Sequence, residues 1–349
     1  MTEKPYDSHE LFLFALQIFT CLGMLEEDAA IAADSLVRAD LEGNESHGIS
    51  RLAIYAKRLR EGRIAARPEI GFERFHSVLK VDGGNGLGQV VSYRAVEAAM
   101  SIARETGIAG VFVSNSNHFG TAAYFCQMAC RAHMALIAMT NSPPGIPPWG
   151  GKKPYFGTNP IAFGFPAREE PHVIVDMSSS VVARGKIILA DKLGESIPPG
   201  WAIDDEGVPT TDPAAALRGA VLPLGGAKGY ALALAIEIMT GVLTNAAFGP
   251  HVNNLYKDQD PPANVGHHFI VLNIEKWMPM QEYYGRMEQF LQEVKAVSKA
   301  RDVREIFYPG ERRHHTYATR KQQGIFLSEE VRNELIRLGQ ECGVPLFAN

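Results

Sequence analysis

The chain has 349 residues, 46% of them hydrophobic, which is enough for a large core and for two or three structural lobes. Its formal net charge of -5 and 21% charged residues include no basic run, so nothing supports nucleic-acid binding, and an anionic ligand must be met by local positive groups. The polar start MTEKPYDSHE has no signal-peptide character, no apolar run approaches the ~20 residues that cross a bilayer, and the four scattered cysteines form no disulfide framework; the expectation is a cytoplasmic protein without a membrane partner.

Residues 7–42 predict two helices. LFLFALQIFTCLGM has apolar residues at helical spacing and ends near Gly23, while LEEDAAIAADSLVRADLEG opens on acidic residues that suit a helix N-terminus and stops at Gly43. A third helix is expected over 49–62. From residue 76 the pattern alternates: FHSVLKVDGG as a strand, 89–106 as a helix, IAGVFVSN as a buried strand, TAAYFCQMACRA as a helix and MALIAMTN as a strand, the signature of a layered α/β fold. Residues 141–166 are so rich in Pro and Gly that a loop is expected, and a long ordered loop in an enzyme is often functional. HVIVDM then reads as a strand, SSSVVARGKIILADK and KGYALALAIEIMTGVL as helices, GHHFIVLNI as a strand, and 282–299 and 328–342 as amphipathic helices. These elements predict an α/β core over 76–275 beside a helical lobe built from 1–75 and 276–349.

Several stretches can carry chemistry. In SHGISRLAIY, a helix over 47–55 would set His47, Arg51 and Tyr55 at i, i+4 and i+8 on one side, a stripe suited to an anionic, oxygen-rich small molecule; a solvated face with a stray histidine is the plainer alternative. In SNSNHFG, His118 follows a buried strand, where α/β proteins place ligands, and Asn115, Ser116 and Asn117 equally suit a helix N-cap. DGGNGLGQ fits G-x-G-x-x-G in no register, because Gln89 or Val91 falls at the third glycine, and LPLGGAKGY has no Ser or Thr after Lys228, so neither a Rossmann nor an NTPase loop is indicated. Lys228 and Gly229 at a helix start can still bind phosphate, or be a turn glycine with a solvated lysine. Asp176 with the serines of VDMSSS can hold a ribose or phosphate, or only cap a helix. Cys126 and Cys130 read as two small residues on one helix face, and His267 and His268 as neighbours on opposite faces of a strand; no metal site is expected.

Taken in order, SHGISRLAIY, VDGGNGLGQ, SNSNHFGTAAYF, FGTNPIAFGFP, VDMSSSVVARGKI, IPPGWAID, TTDP, LPLGGAKGYALAL, VGHHF and YPGE resemble the malate/L-lactate dehydrogenase family of the second, non-Rossmann type, which includes ureidoglycolate, sulfolactate and 2,3-diketo-L-gulonate enzymes and a piperideine-2-carboxylate reductase. The resemblance implies an α/β fold with a mixed sheet flanked by helices, a cofactor mode unlike Rossmann proteins, and a homodimer with its active site at or near the interface. It implies hydride transfer between NAD or NADP and a small 2-oxo or 2-hydroxy acid, with a reductase of cyclic imino acids or a non-catalytic relative as competing readings. His118 matches the proton acceptor of some members and His47 the proton donor of others, while Ser46, Arg51 and Tyr55 match substrate contacts. Ser142, Gly157, Thr158, Asn159, Asp176, Met177, Ser178, Lys228, Gly229, Pro309, Gly310 and Glu311 match stretches that hold the dinucleotide. The chain departs from the family pattern in VDMSSS, where Asp-Met-Ala-Thr-Ser is usual, and at Ala227, where a histidine is common; Arg184 would suit a 2′-phosphate.

Overall fold

The apolar periodicity of the N-terminus is spent on helices α1 (Ser8–Cys21), α2 (Glu26–Leu41) and α3 (Leu52–Arg60), in a computed structural model that describes residues 5–346 apart from 256 and 258–260. Asp7 caps α1 by accepting from the amides of His9 and Glu10, and Glu26, Glu27 and Asp28 complement the dipole at the start of α2. Phe14, Ile18, Leu36, Leu52 and Tyr55 are buried where these helices meet.

The chain then forms β1 (Gly71–Phe75), β2 (Val78–Asp82), α4 (Gly88–Thr106), β3 (Ile108–Ser116), α5 (Ala122–Arg131), β4 (Ala135–Thr140), β5 (Ile161–Phe165) and β6 (Val173–Met177). After them come α6 (Arg184–Leu193), the short strands β7 (Ala202–Ile203) and β8 (Pro209–Thr210), α7 (Pro213–Arg218), β9 (Ala220–Val221) and α8 (Ala227–Glu237). Strand β10 (Val265–Leu272) and helices α9 (Met280–Ala296), α10 (Glu311–Gln323) and α11 (Glu329–Cys342) complete the chain. Among the described residues no helix is long and apolar enough to cross a membrane.

Seven strands form one mixed sheet in the order β1-β2-β3-β10-β4-β5-β6, in which only β2 and β3 run parallel. This is not the doubly wound parallel sheet of a Rossmann domain. Helices α4 and α5 pack on it around Val111, Phe125, Ala138 and Phe269. Gly164 lets α5 lie directly on β5, since a Cβ there would stand 2.7 Å from the Cβ of Cys126. A separate small sheet, β8-β7-β9, packs with α6 and α7 around Val182, Ile187 and Ile197. Strand register positions the polar strand ends. Pairings Asp82 with Ser114, Ser116 with Val265, Thr140 with His267, and Ile161 with Met177 gather the ends of β2, β3, β4 and β6 at one rim of the large sheet.

Four expectations are corrected. The residues from Glu45 to Arg51 are two 3-10 turns separated at Gly48, so the helix expected over 49–62 begins only at Leu52. Residues 178–183 are not helical, and α6 starts at Arg184. The Pro/Gly-rich segment contains β5, and the helix after Lys228 ends in a π-turn over Ile238–Val242. Strand β1 and helix α10 have no counterpart among the predicted elements: every residue of β1 is exposed and only Glu311 of α10 is buried, so neither carries an apolar period.

Candidate active site

His47, Arg51 and Tyr55 do converge, but a tight turn brings them together, not a continuous helix face. Asp40, at the end of α2, is buried and accepts the Ile49 amide at 2.6 Å. A Cβ on Gly48 would lie 2.0 Å from Asp40 Oδ1, so glycine is required between His47 and Ile49. Burial pushes the Asp40 carboxyl up to about 7, against the Ile49 amide that favours its charge. Arg320 from α10 clasps the same turn, donating to the Asp40 carbonyl at 2.6 Å and to the Glu45 carboxylate at 2.5 Å. Within the turn, Ser46 Oγ lies 2.9 Å from His47 Nδ1, and Arg51 Nε donates to the Ser46 carbonyl at 2.5 Å.

His118 meets this turn from the sheet rim. Its Nδ1 lies 2.6 Å from Tyr55 Oη, and its ring centre lies 5.4 Å from that of His47. With Nδ1 of His47 on Ser46 and Nδ1 of His118 on Tyr55, each ring keeps Nε2 for a ligand. Tyr55 is fully buried, which pushes its phenol up to about 12 and keeps it protonated. Burial, then the nearby Arg51 and Arg313, lower His47 to about 4; burial, with His47, Arg51 and His267, holds His118 well below the usual imidazole range. Both rings are therefore neutral at pH 7.

The glycine-rich segment before α4 packs against the backbone that carries this histidine. A Cβ on Gly88 would stand 2.1 Å from the Asn117 carbonyl oxygen and 2.5 Å from that of His118, and one on Gly83 would stand 2.8 Å from the Asn115 carbonyl oxygen. Asn117 Nδ2 completes the attachment with bonds to Gly86 and Asn85. Gln89, on the next helical residue, is buried beside Tyr55.

The residues matched to dinucleotide binding fall in two places. Ser142, Gly157, Thr158, Asn159, Ser178 and the start of α8 share the rim. Ser142 Oγ accepts the Thr158 amide at 3.1 Å, Gly157 has its would-be Cβ 2.3 Å from Ser142, and Ser179 donates its amide and hydroxyl to the Thr158 carbonyl. Ser179 in turn accepts from Leu224, whose backbone packs on Gly229. Met177 is exposed at the end of β6. Pro309, Gly310 and Glu311 lie at the other end of β6: the Pro309 carbonyl accepts from Ile174, Gly310 presses on the His172 carbonyl, and Glu311 accepts from Lys295 and Tyr308. Asp176 sits between these groups, accepting from Ala123 at the start of α5 and pairing with Arg313 at 3.3 Å. Burial raises its carboxyl, with Arg313 opposing. Arg184 donates to the Leu217 carbonyl beside the small sheet.

Glu237, and the pairing of His267 with two neighbouring strands, gave no signal in the sequence. Asn159 Nδ2 donates to Glu237 at 2.6 Å, and Glu237 also accepts the Gly249 amide at 2.7 Å, a buried network between the loop before β5 and the end of α8. His267 is fully buried, with Nε2 2.8 Å from Ser116 Oγ and Nδ1 2.8 Å from Thr140 Oγ1, and it stacks on Phe119. It thus ties the end of β3, which leads to His118, to the end of β4, which leads to Ser142. Replacing it with Phe keeps the stacking but strands the buried Ser116 hydroxyl, while Thr140 keeps the Gly266 carbonyl, so stability falls by about 2 kcal/mol. Its imidazole is lowered to about 3 by burial. Between pH 6.5 and 3 the unfolded chain binds the proton and the fold does not, so this group lowers stability as the pH drops, by about 1.4 kcal/mol per pH unit. Denaturant midpoints across pH should show His267→Phe losing part of that acid slope; an unchanged slope and midpoint would remove His267 from this role.

Residues 6–336 match the family model described as malate/L-lactate dehydrogenase. The chain is 40% identical to the malate dehydrogenase of Pyrococcus abyssi, over 96% of this chain and 94% of that one. It is 38% identical to the (2R)-3-sulfolactate dehydrogenase (NADP(+)) of Chromohalobacter salexigens, over 92% and 94%, and 35% identical to the ureidoglycolate dehydrogenase (NAD(+)) of Escherichia coli K12, over 90% of each. The structure of sulfolactate dehydrogenase from Methanocaldococcus jannaschii superposes with a TM-score of 0.93 at 36% identity, covering 98% of both chains.

Proposed function

The chain belongs to the malate/L-lactate dehydrogenase family and exchanges a hydride between a nicotinamide dinucleotide and a small 2-hydroxy or 2-oxo acid; we propose that His118 carries the proton of that reaction. The observation behind this assignment is the pairing of His118 Nδ1 with fully buried Tyr55, which fixes the ring 5.4 Å from that of His47 and leaves Nε2 for a ligand. Arg51 holds the substrate carboxylate through its planar guanidinium. In oxidation, neutral His118 takes the hydroxyl proton at Nε2 as the carbonyl forms; in reduction the protonated ring returns it to the developing alkoxide. His47, braced by Ser46, orients the same oxygen.

The rim fits a dinucleotide. Among the described residues the exposed Lys228 ammonium has no acidic partner, the first amides of α8 lie beside it, and the buried Asn159 Oδ1 has no donor. Bound there, the dinucleotide supplies or accepts the hydride. Lys228 and the amide of Gly229 are assigned to its phosphates, and Ser142, Thr158, Asn159 and Met177–Ser178 to the nicotinamide half, with Asp176 and Pro309–Glu311 supporting the strand that carries them. A cleft of about 580 Å³ lies between the Pro147–Lys152 loop and Ile203, Leu222 and Pro223, with Trp149 standing over Gly226. We assign the adenosine end to it. Trp149→Leu should then weaken the dinucleotide and adenosine diphosphate ribose about tenfold, at 1–3 kcal/mol for a stacked base. Nicotinamide mononucleotide binding should not change, and equal weakening of all three would displace adenosine from this cleft.

We further propose that the enzyme works in the cytoplasm as a homodimer. Four free thiols suit a reducing compartment, and α8 with its π-turn presents Leu234, Ile238, Val242 and Leu243 outward. The first experiment is oxidation of NADH and of NADPH in parallel against a panel of 2-oxo acids and one cyclic imino acid. Turnover on an oxo acid supports the assignment and names the cofactor; turnover on the imine alone would transfer it to imine reduction. The pH profile is a second check. Because the site holds both histidines neutral, kcat/KM for hydroxy-acid oxidation should stay level as pH falls through 6.5, while oxo-acid reduction should rise toward acid. An oxidation profile that breaks at pH 6.5 would remove the depressed histidine from the mechanism.

A further inference from the structure

The ends of α1 and α11 bring together two cysteines from opposite ends of the chain. Cys21 Sγ lies 3.6 Å from the Cys342 carbonyl oxygen. The neighbouring Cys342 side chain is the main reason the Cys21 thiol is pushed above its ordinary range, with burial second. Arg60, the last residue of α3, donates Nη2 to Cys342 Sγ at 3.3 Å while its other arm pairs with Glu341. Cys21 is exposed and Cys342 half-buried, so small reagents can reach the pair. The other two cysteines, Cys126 and Cys130, are buried inside α5 and provide an internal control.

We propose that Cys21 and Cys342 form a reversible modification site for low-molecular-weight disulfides, which convert the two thiols into an intramolecular disulfide. Cys342 loses its proton and attacks one sulfur of the small disulfide, releasing one small thiol and leaving a mixed disulfide on Cys342. Negative charge on this sulfur has Arg60 beside it. Cys21 then loses its proton and attacks the Cys342 sulfur, the Cys21–Cys342 bond forms, and the second small thiol leaves. The small disulfide is reduced by two electrons and the protein oxidised by two. With Cys21 Sγ already against the Cys342 backbone at 3.6 Å, rotation about the side-chain bonds and a small shift of the two helix ends bring the sulfurs toward a bonded separation of about 2.05 Å.

The bond would join the first and last helices of the bundle that supports the His47 turn, closing a ring through nearly the whole chain. Rings of that length restrict the unfolded chain most, so the oxidised form should melt higher, by roughly 5 °C. The proposal is independent of the dehydrogenase chemistry.

The test uses the native full chain equilibrated across a series of reduced-to-oxidised glutathione ratios, then quenched with acid. Expected are loss of two of the four thiols, a Cys21–Cys342 linked peptide in non-reducing digests, a raised melting temperature, and reversal by dithiothreitol. Cys21→Ser should stop at a stable glutathione adduct on Cys342, with no gain in melting temperature; Cys342→Ser should show no linked peptide. Separate glutathione adducts on both cysteines of the unaltered chain, linkage between two chains, or no loss of thiols at the most oxidising ratio would each overturn the proposal.

Discussion

His118→Asn should lower kcat for hydroxy-acid oxidation by about 100-fold or more and leave dinucleotide affinity unchanged. Asparagine keeps a polar group near Tyr55 but has no ring nitrogen that can take a proton near neutral pH. The lost step is therefore proton transfer, while the Ser142–Thr158 rim is untouched. Tyr55→Phe separates orientation from chemistry. It keeps the buried ring and removes only the 2.6 Å bond to His118, so kcat should fall less than in His118→Asn. His47→Asn is the comparison that tests the division of labour. With Nδ1 on Ser46 and a ring 5.4 Å from His118, its loss should act more on KM than on kcat. Steady-state kinetics of the three variants in both directions decide the matter: a larger kcat loss in His47→Asn than in His118→Asn would exchange the two roles.

The sequence displayed the site more fully than it displayed the reason the site holds together. His47, Arg51, Tyr55 and His118 were legible because unusual polar residues stood beside apolar helical and strand patterns. The geometry expected for three of them was nevertheless a helix stripe, whereas the chain makes 3-10 turns broken at Gly48. That break is set by Asp40, eight residues earlier, whose buried carboxylate occupies the space a side chain would need. No local rule reads such a contact. Helix α10 was missed because its residues bury almost nothing, yet it supplies Arg320 to the His47 turn and Arg313 to Asp176 and Glu42. It is held by tertiary ion pairs to Glu42, Asp176 and Glu45, which a periodicity cannot show. Strand alternation alone puts His267 and His268 of β10 on opposite faces. The His267 partners Ser116 and Thr140 come from two strands that flank β10 only once the sheet order is known.

Gly88→Ala should destabilise the fold by about 3 kcal/mol and lower kcat/KM together with stability. The added methyl would stand 2.1 Å from the Asn117 carbonyl oxygen and 2.6 Å from the His118 carbonyl carbon. These are backbone atoms, so no side-chain rotation relieves the overlap; either α4 backs away from the rim or the Asn117–His118 segment moves. The first choice loosens the Val91 and Ala95 contacts with the sheet, and the second pulls His118 off Tyr55. Helix propensity works in the opposite direction, since alanine is favoured over glycine by about 1 kcal/mol inside a helix. Gly285→Ala isolates that term: Gly285 lies within α9 with nothing within 4 Å of its would-be Cβ, so this variant should be neutral or more stable by up to about 1 kcal/mol, with unchanged turnover. Urea titration and oxidation kinetics of the two variants make the contrast. If Gly88→Ala behaved like Gly285→Ala, the glycine-rich segment would not be the support of His118, and its conformational freedom would have to serve a ligand instead.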